Sequence, residues 1–162
     1  MPDDRGRDYR RLALSGAAFE MTQLTRVVPR LPVSDLATSV EWYRDVLGFS
    51  VGNMWPDDEP TFAIVTRDGV GVQLYVTETL IDTDIGNAML SFDVTDARGL
   101  HAQLEKRTRI DWGPEVYWYG RREFAVTDPN GYMIIFSEET DDAPTDQGAR
   151  SETEEERGEE RA

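Results

Sequence analysis

The chain has 162 residues, a formal net charge of −15 at pH 7 and no cysteine. This length suits one domain with a buried core. The missing cysteines exclude disulfides, thiolate zinc sites and a cysteine nucleophile, which fits a reducing, cytoplasmic compartment. The acidic charge disfavours nucleic-acid binding because phosphates need a basic surface, and there is no apolar run of the roughly 18 residues that a membrane span requires.

The chain begins with a charged segment, residues 1–24, which predicts a loose N-terminal extension rather than a secretory signal. The next stretch, Thr25–Val33, is apolar and β-branched and predicts a strand. Pro29 and Pro32 interrupt it. Since proline cannot donate to a sheet ladder, this strand is expected at a sheet edge or a subunit boundary.

A helix is predicted next, with Ser34 or Asp35 as its N-cap and Gly48 at its end. Four apolar residues in this stretch recur at helical spacing: Leu36, Val40, Tyr43 and Leu47. Three predicted strands then follow, over Ser50–Trp55, Thr61–Arg67 and Gly71–Val76.

The same order of elements then repeats. A strand over Ala88–Val94 leads to a helix that is capped by Asp96 and continues to Lys106. Three further strands are predicted over Glu115–Tyr119, Arg122–Thr127 and Tyr132–Ser137, with Asp128–Gly131 as a β-turn between the last two. The sequence therefore predicts an α+β fold of two βαβββ modules, at about residues 25–79 and 86–138.

The C-terminal segment, residues 139–162, is predicted to be a disordered acidic tail. Its only aliphatic side chains are those of alanine, and it has no aromatic residue. Such a segment cannot bury enough surface to fold.

Two stretches carry a family resemblance: Leu31–Phe49, which reads LPVSDLATSVEWYRDVLGF, and Tyr119–Tyr132, which reads YGRREFAVTDPNGY. Together with the module repeat they resemble the vicinal-oxygen-chelate superfamily, which includes glyoxalase I, extradiol dioxygenases and bleomycin-resistance proteins. The resemblance implies curved mixed sheets around a central cavity. It also implies, in metal-dependent members, one His, Gln or Glu ligand on the first and last strand of each module.

The ligand positions carried over by this resemblance are Val28, Gln73, Met89 and Ile135. Three of these side chains are apolar, and one neutral Gln cannot hold a divalent ion, so no metal or other cofactor is predicted. The only histidine, His101, is expected on the surface of the second helix. The resemblance is closest to the bleomycin-resistance branch, in which a dimer sequesters a planar cationic drug in clefts between its subunits.

Strand alternation and this resemblance together predict the ligand-facing residues. Gln73 and Tyr75 share one face of a strand, Phe62 and Tyr119 correspond to stacking aromatics, and Asp93 supplies negative charge. For the rings, core packing is the alternative role. The predicted ligand-binding set is Phe62, Tyr119, Trp55, Tyr75, Gln73 and Asp93, with no catalytic residue.

The sequence thus predicts a metal-free homodimer that sequesters an aromatic or cationic small molecule at a dimer cleft. An enzyme of the same fold, a lyase or isomerase using Glu123, Tyr75 or an unforeseen metal, is one alternative. Glu123 also stands beside Arg121 and Arg122, which favours a structural ion pair. A non-catalytic interaction module with a collapsed cavity is the other alternative.

Overall fold

The computed structural model describes residues 25–77 and 88–145. The predicted N-terminal extension and most of the predicted acidic tail lie outside these residues. The first module contains β1 (Arg30–Val33), α1 (Leu36–Asp45), β2 (Ser50–Trp55), β3 (Phe62–Arg67) and β4 (Val70–Val76). The second contains β5 (Met89–Asp93), α2 (Ala97–Leu104), β6 (Trp112–Tyr117), β7 (Arg121–Thr127) and β8 (Met133–Glu139).

Each module forms its own four-stranded mixed sheet, with the strand order β1-β4-β3-β2 in the first and β5-β8-β7-β6 in the second. In both sheets the first strand pairs in parallel with the last, and the remaining pairs are antiparallel. The predicted α+β fold of two βαβββ modules is confirmed. The prediction that the first strand lies at a sheet edge is also correct.

Local signals explain why α1 forms where it does. The Asp35 carboxylate accepts a hydrogen bond from the Thr38 backbone N–H at 2.8 Å, which satisfies one of the open donors at the helix N-terminus. The four apolar residues predicted at helical spacing are all buried. After the helix, Gly48 adopts a φ of 73°, a conformation that glycine reaches without a steric penalty.

Most element boundaries differ from the prediction by one or two residues, and β1 and β6 differ by more. β1 begins at Arg30 rather than Thr25, because Pro29 cannot donate to the sheet. α2 ends at Leu104 rather than Lys106, and β6 begins at Trp112. The expectation for His101 was wrong, since its ring is half-buried and packs edge-on against Phe124 with a centroid distance of 5.3 Å.

One hydrophobic core joins the two modules. It contains the apolar side chains on the helix side of both sheets, together with the buried faces of α1 and α2. Polar contacts connect the modules as well: the Tyr132 hydroxyl donates to the Pro32 carbonyl at 2.8 Å, and Arg107 donates to the Val46 carbonyl at 3.4 Å. The opposite faces of both sheets lie outside this core.

The first residues beyond β8 contact the second module. Asp142 pairs with Arg122, and Thr145 exchanges hydrogen bonds with Val116 on the outer edge of β6. This part of the predicted acidic tail is therefore held against the domain. No helix among the described residues is long and apolar enough to cross a membrane.

Candidate functional site

The sheet faces that point away from the core carry the aromatic and charged side chains of interest. Side chains alternate along a strand, so one face of each sheet packs on the helices and the other does not. We call these the open face of module one, formed by β1–β4, and the open face of module two, formed by β5–β8. The six predicted ligand-binding residues divide between them.

An aromatic row crosses the open face of module one. Strand register places Trp55 opposite Phe62, and Phe62 opposite Tyr75, so three rings stand side by side on adjacent strands. Trp55 is 67% exposed, and the other two rings are half-buried. None of the three belongs to the core cluster. These three rings therefore do not pack in the core, which was the alternative role considered for them.

Arg30 and Gln73 lie beside this row. Parallel pairing of β1 with β4 sets them opposite each other, and the Arg30 Nε donates to the Gln73 Oε1 at 2.8 Å. The Arg30 guanidinium also lies over the Phe62 ring, 5.5 Å from its centroid, as a cation–π contact. Arg30 is thus fixed by two partners and gives the aromatic row one positive charge. Sequence reasoning assigned Arg30 no role.

The open face of module two carries a chain of hydrogen bonds. The Arg121 Nε donates to the Ser137 hydroxyl at 2.8 Å, and that hydroxyl donates to the Glu123 Oε1 at 2.7 Å. The other oxygen of Glu123 accepts from the Tyr119 hydroxyl at 2.9 Å. The Tyr119 ring stacks on Tyr117, with centroids 5.2 Å apart and planes 6° from parallel.

This chain fixes a carboxylate and a phenol side by side. Desolvation, and then the hydrogen bond to Glu123, raise the pKa of the Tyr119 hydroxyl well above its usual range, so the phenol stays protonated at neutral pH. Ser137 has no histidine partner among the described residues, because His101 lies against Phe124 on the opposite side of the sheet. The arrangement is an acidic surface on which hydrogen bonds join Arg121, Ser137, Glu123 and Tyr119.

Asp93 lies on this open face as well. It was predicted to supply negative charge to a ligand, but Arg121 pairs with it and offsets that charge. Glu123 is a further carboxylate on this face, which the sequence analysis named only as a possible catalytic acid or ion-pair residue. Its predicted ion pair with Arg121 or Arg122 was wrong: Arg122 pairs with Glu138 on the core side of the sheet. Adjacent residues of a strand point to opposite faces of the sheet, so the sequence already indicated that Glu123 and Arg122 lie on different faces and cannot pair.

The four positions that correspond to metal ligands do not form a metal-binding set. Gln73 is the only one of the four with a side-chain oxygen or nitrogen, and its oxygen already accepts from Arg30. Val28 precedes β1, and Met89 and Ile135 are apolar. Within residues 25–77 and 88–145, no three His, Cys, Asp or Glu side chains come together as a possible metal site.

Comparison with protein families gives one match. The model described as the Glyoxalase/Bleomycin resistance protein/Dioxygenase superfamily matches residues 23–136. No curated protein matches the chain.

Several solved structures are similar to this chain. The bleomycin-binding protein from bleomycin-producing Streptomyces verticillus, solved with copper(II)-bleomycin, is 27% identical; the match covers 72% of this chain and 97% of that one, with a TM-score of 0.59. TnmS3, an antibiotic binding protein from Streptomyces sp. CB03234, is 22% identical over 74% and 100% of the two chains, with a TM-score of 0.60. TioX from Micromonospora sp. ML1 is 18% identical over 72% and 99%, with a TM-score of 0.61. The last two show the fold alone.

Proposed function

The chain belongs to the Glyoxalase/Bleomycin resistance protein/Dioxygenase superfamily, and we propose that it is a metal-free binding protein that sequesters a planar, cationic small molecule. The observation that carries this proposal is the division of chemistry between the two open faces. Module one offers a row of three aromatic rings, and module two offers a fixed acidic surface.

The two faces suit different parts of one ligand. A planar group stacks on Trp55, Phe62 and Tyr75, where each aromatic pair contributes about 0.5–1.5 kcal/mol beyond its buried area. Cationic groups are better placed on module two, because Arg30 already occupies the Phe62 ring. On module two the three carboxylates of Asp93, Glu123 and Glu139 outnumber the single positive charge of Arg121, which contacts Asp93 and Glu139.

We propose that the binding cleft forms between two copies of the chain. A two-fold axis that sets module one of one protomer against module two of the other creates two identical clefts. The exposed Trp55 and the 62% exposed Met89 support this arrangement, since large apolar side chains on open faces favour burial in an interface. The cysteine-free sequence supports a cytoplasmic location.

The lyase or isomerase alternative has one specific observation in its favour, which is the hydrogen-bonded pair of Glu123 and Tyr119. Both groups are engaged with each other and with Ser137, and the phenol holds its proton tightly. This geometry favours a structural and ligand-positioning role for Glu123 over proton transfer.

The direct test is a titration of the purified protein with metal-free bleomycin and with other planar cations, followed by tryptophan fluorescence. We expect quenching with a Kd below about 100 µM, and a Glu123→Gln variant that binds more weakly. Light scattering is expected to show a dimer at protein concentrations of about 10 µM or above. A monomer that binds none of these compounds would overturn the proposal and favour the interaction module. Turnover of a ligand that Glu123→Gln abolishes would favour the enzyme.

A further inference from the structure

A cavity lies between the modules, away from the aromatic row. It has a volume of about 660 Å³, within the range of small-molecule sites. Module one contributes the turn between β3 and β4, and module two contributes β5 and the start of α2. We call it the seam cavity; it is lined by Phe49, Asp68, Phe92, Asp93, Asp96 and Gln103 among others.

The floor of the seam cavity is aromatic. Phe49 and Phe92 have ring centroids 6.1 Å apart, and Phe92 and Phe136 are stacked at 6.0 Å. Ring faces are apolar and carry partial negative charge, so they accept both a hydrocarbon group and a cation.

The rim of the cavity is acidic. Asp68 and Asp96 contribute carboxylates, whereas the Asp93 carboxylate is paired with Arg121, and the only cation among the described lining residues is Arg67. The Arg67 Nη1 donates to the Leu47 carbonyl at 2.5 Å, and its Nε lies 3.4 Å from Asp68, so the guanidinium is already engaged. The start of α2 does not offer an anion site: Glu138 accepts from the Ala97 N–H at 3.0 Å, and Asp96 accepts from the Gly99 N–H at 2.8 Å.

The outer edge of β5, which pairs with no strand among the described residues, adds acceptors to the same space. The Val94 N–H donates to the Ser137 carbonyl on β8. Because alternate residues of a parallel strand bond to one neighbour, Ser91 and Asp93 direct their backbone carbonyls to the other side, toward the cavity that they line. An ammonium group in the cavity can therefore use carbonyl as well as carboxylate oxygens.

We propose that the seam cavity is a binding site for a small aromatic amine in its protonated form, with the ring against the partly exposed Phe92 and the ammonium at the acidic rim. This site lies within one protomer and does not depend on the proposed cleft between protomers.

Calorimetric titration with three indoles of similar size tests the proposal: tryptamine, the neutral tryptophol and the anionic indole-3-acetate. We expect one tryptamine per chain with a Kd of about 0.1–1 mM. Tryptophol should bind at least about fivefold more weakly than tryptamine, and indole-3-acetate should not bind. No tryptamine binding up to about 5 mM, or equal binding of all three compounds, would overturn the proposal.

Variants then locate the site. Gln103 and Val70 line the cavity and are exposed, so Gln103→Trp, with Val70→Trp as a second version, fills the cavity without disturbing the core. Each should weaken tryptamine binding at least about tenfold. The double variant Asp68→Asn/Asp96→Asn, in which asparagine keeps the helix cap, should weaken it about 5- to 25-fold. Phe62→Ala should leave it unchanged. The reverse pattern, with Phe62→Ala weakening binding and both tryptophan variants neutral, would overturn the seam site while leaving the proposed function intact.

Discussion

Replacing Phe62 with alanine separates ligand binding from folding. The Phe62 ring is half-buried, lies outside the core cluster and contacts the Arg30 guanidinium. A fully buried phenylalanine costs about 3–5 kcal/mol when truncated to alanine, and a ring outside the core should cost nearer about 1 kcal/mol. If the ring stacks on a planar ligand, its loss weakens binding by about 1–3 kcal/mol, roughly 5- to 150-fold in Kd.

Val65→Ala is the matched control. Val65 lies on the same strand, β3, but on the opposite face, and is fully buried. It should lose about 1–3 kcal/mol of unfolding free energy and keep its ligand affinity. Urea denaturation gives the first quantity, and a bleomycin titration followed by the fluorescence of the neighbouring Trp55 gives the second. If Phe62→Ala loses as much stability as Val65→Ala and binds as well as the unaltered protein, the aromatic row is structural and the reasoning is refuted.

Three further predictions concern buried polar groups. The Tyr43 hydroxyl is buried without a hydrogen-bond partner among the described residues, so Tyr43→Phe should raise the unfolding free energy by about 1 kcal/mol; a loss of stability in denaturant titrations would show that the hydroxyl has a partner. Desolvation raises the pKa of Tyr132 to about 12, while an unfolded tyrosine ionises near pH 10. The unfolded chain therefore binds fewer protons in this window, and stability should fall as pH rises from about 10 to about 12; Tyr132→Phe, which lacks the bond to Pro32, should flatten this fall in pH-dependent melts. Arg122 is 6% exposed and pairs with Glu138 at 3.0 Å, so Arg122→Met should cost about 2–3 kcal/mol, less than a fully buried pair because Glu138 and Asp142 are partly exposed. Arg98→Met, which removes an exposed partner of Asp142, should change the unfolding free energy by less than about 1 kcal/mol, and equal losses in the two variants would contradict the assignment.

Local sequence signals were sufficient for the fold. Asp35 and Asp96 accept backbone hydrogen bonds at the starts of both helices, as a capping residue does, and Gly131 completes the turn between β7 and β8 with a φ of 92°. These signals act within a few residues, so a single sequence reveals them. The boundary of β1 was less certain, because two prolines in nine residues leave the start of the strand to tertiary pairing.

The candidate site depended on information that is not local. Alternation placed Gln73 and Tyr75 on one face, but the row with Trp55 and Phe62 follows from the register of three strands. The partner of Gln73 is Arg30, 43 positions earlier in the chain. Pairing across such a distance is set by the parallel packing of β1 on β4, which no local pattern specifies. The bond between Glu123 and Ser137 likewise follows from the pairing of β7 with β8.

The contact of Thr145 with β6 bears on how the protein should be expressed. An outer strand with unpaired N–H and carbonyl groups is a template for the strands of other molecules. Here the backbone N–H of Thr145 donates to the Val116 carbonyl at 2.9 Å, and its hydroxyl accepts from the Val116 N–H at 3.1 Å. A fragment that stops at the end of β8 would keep all the helices and strands of the described residues and still uncover this edge. We therefore expect residues 140–145 to protect the edge from pairing with other molecules, and shortened versions of the chain should retain them.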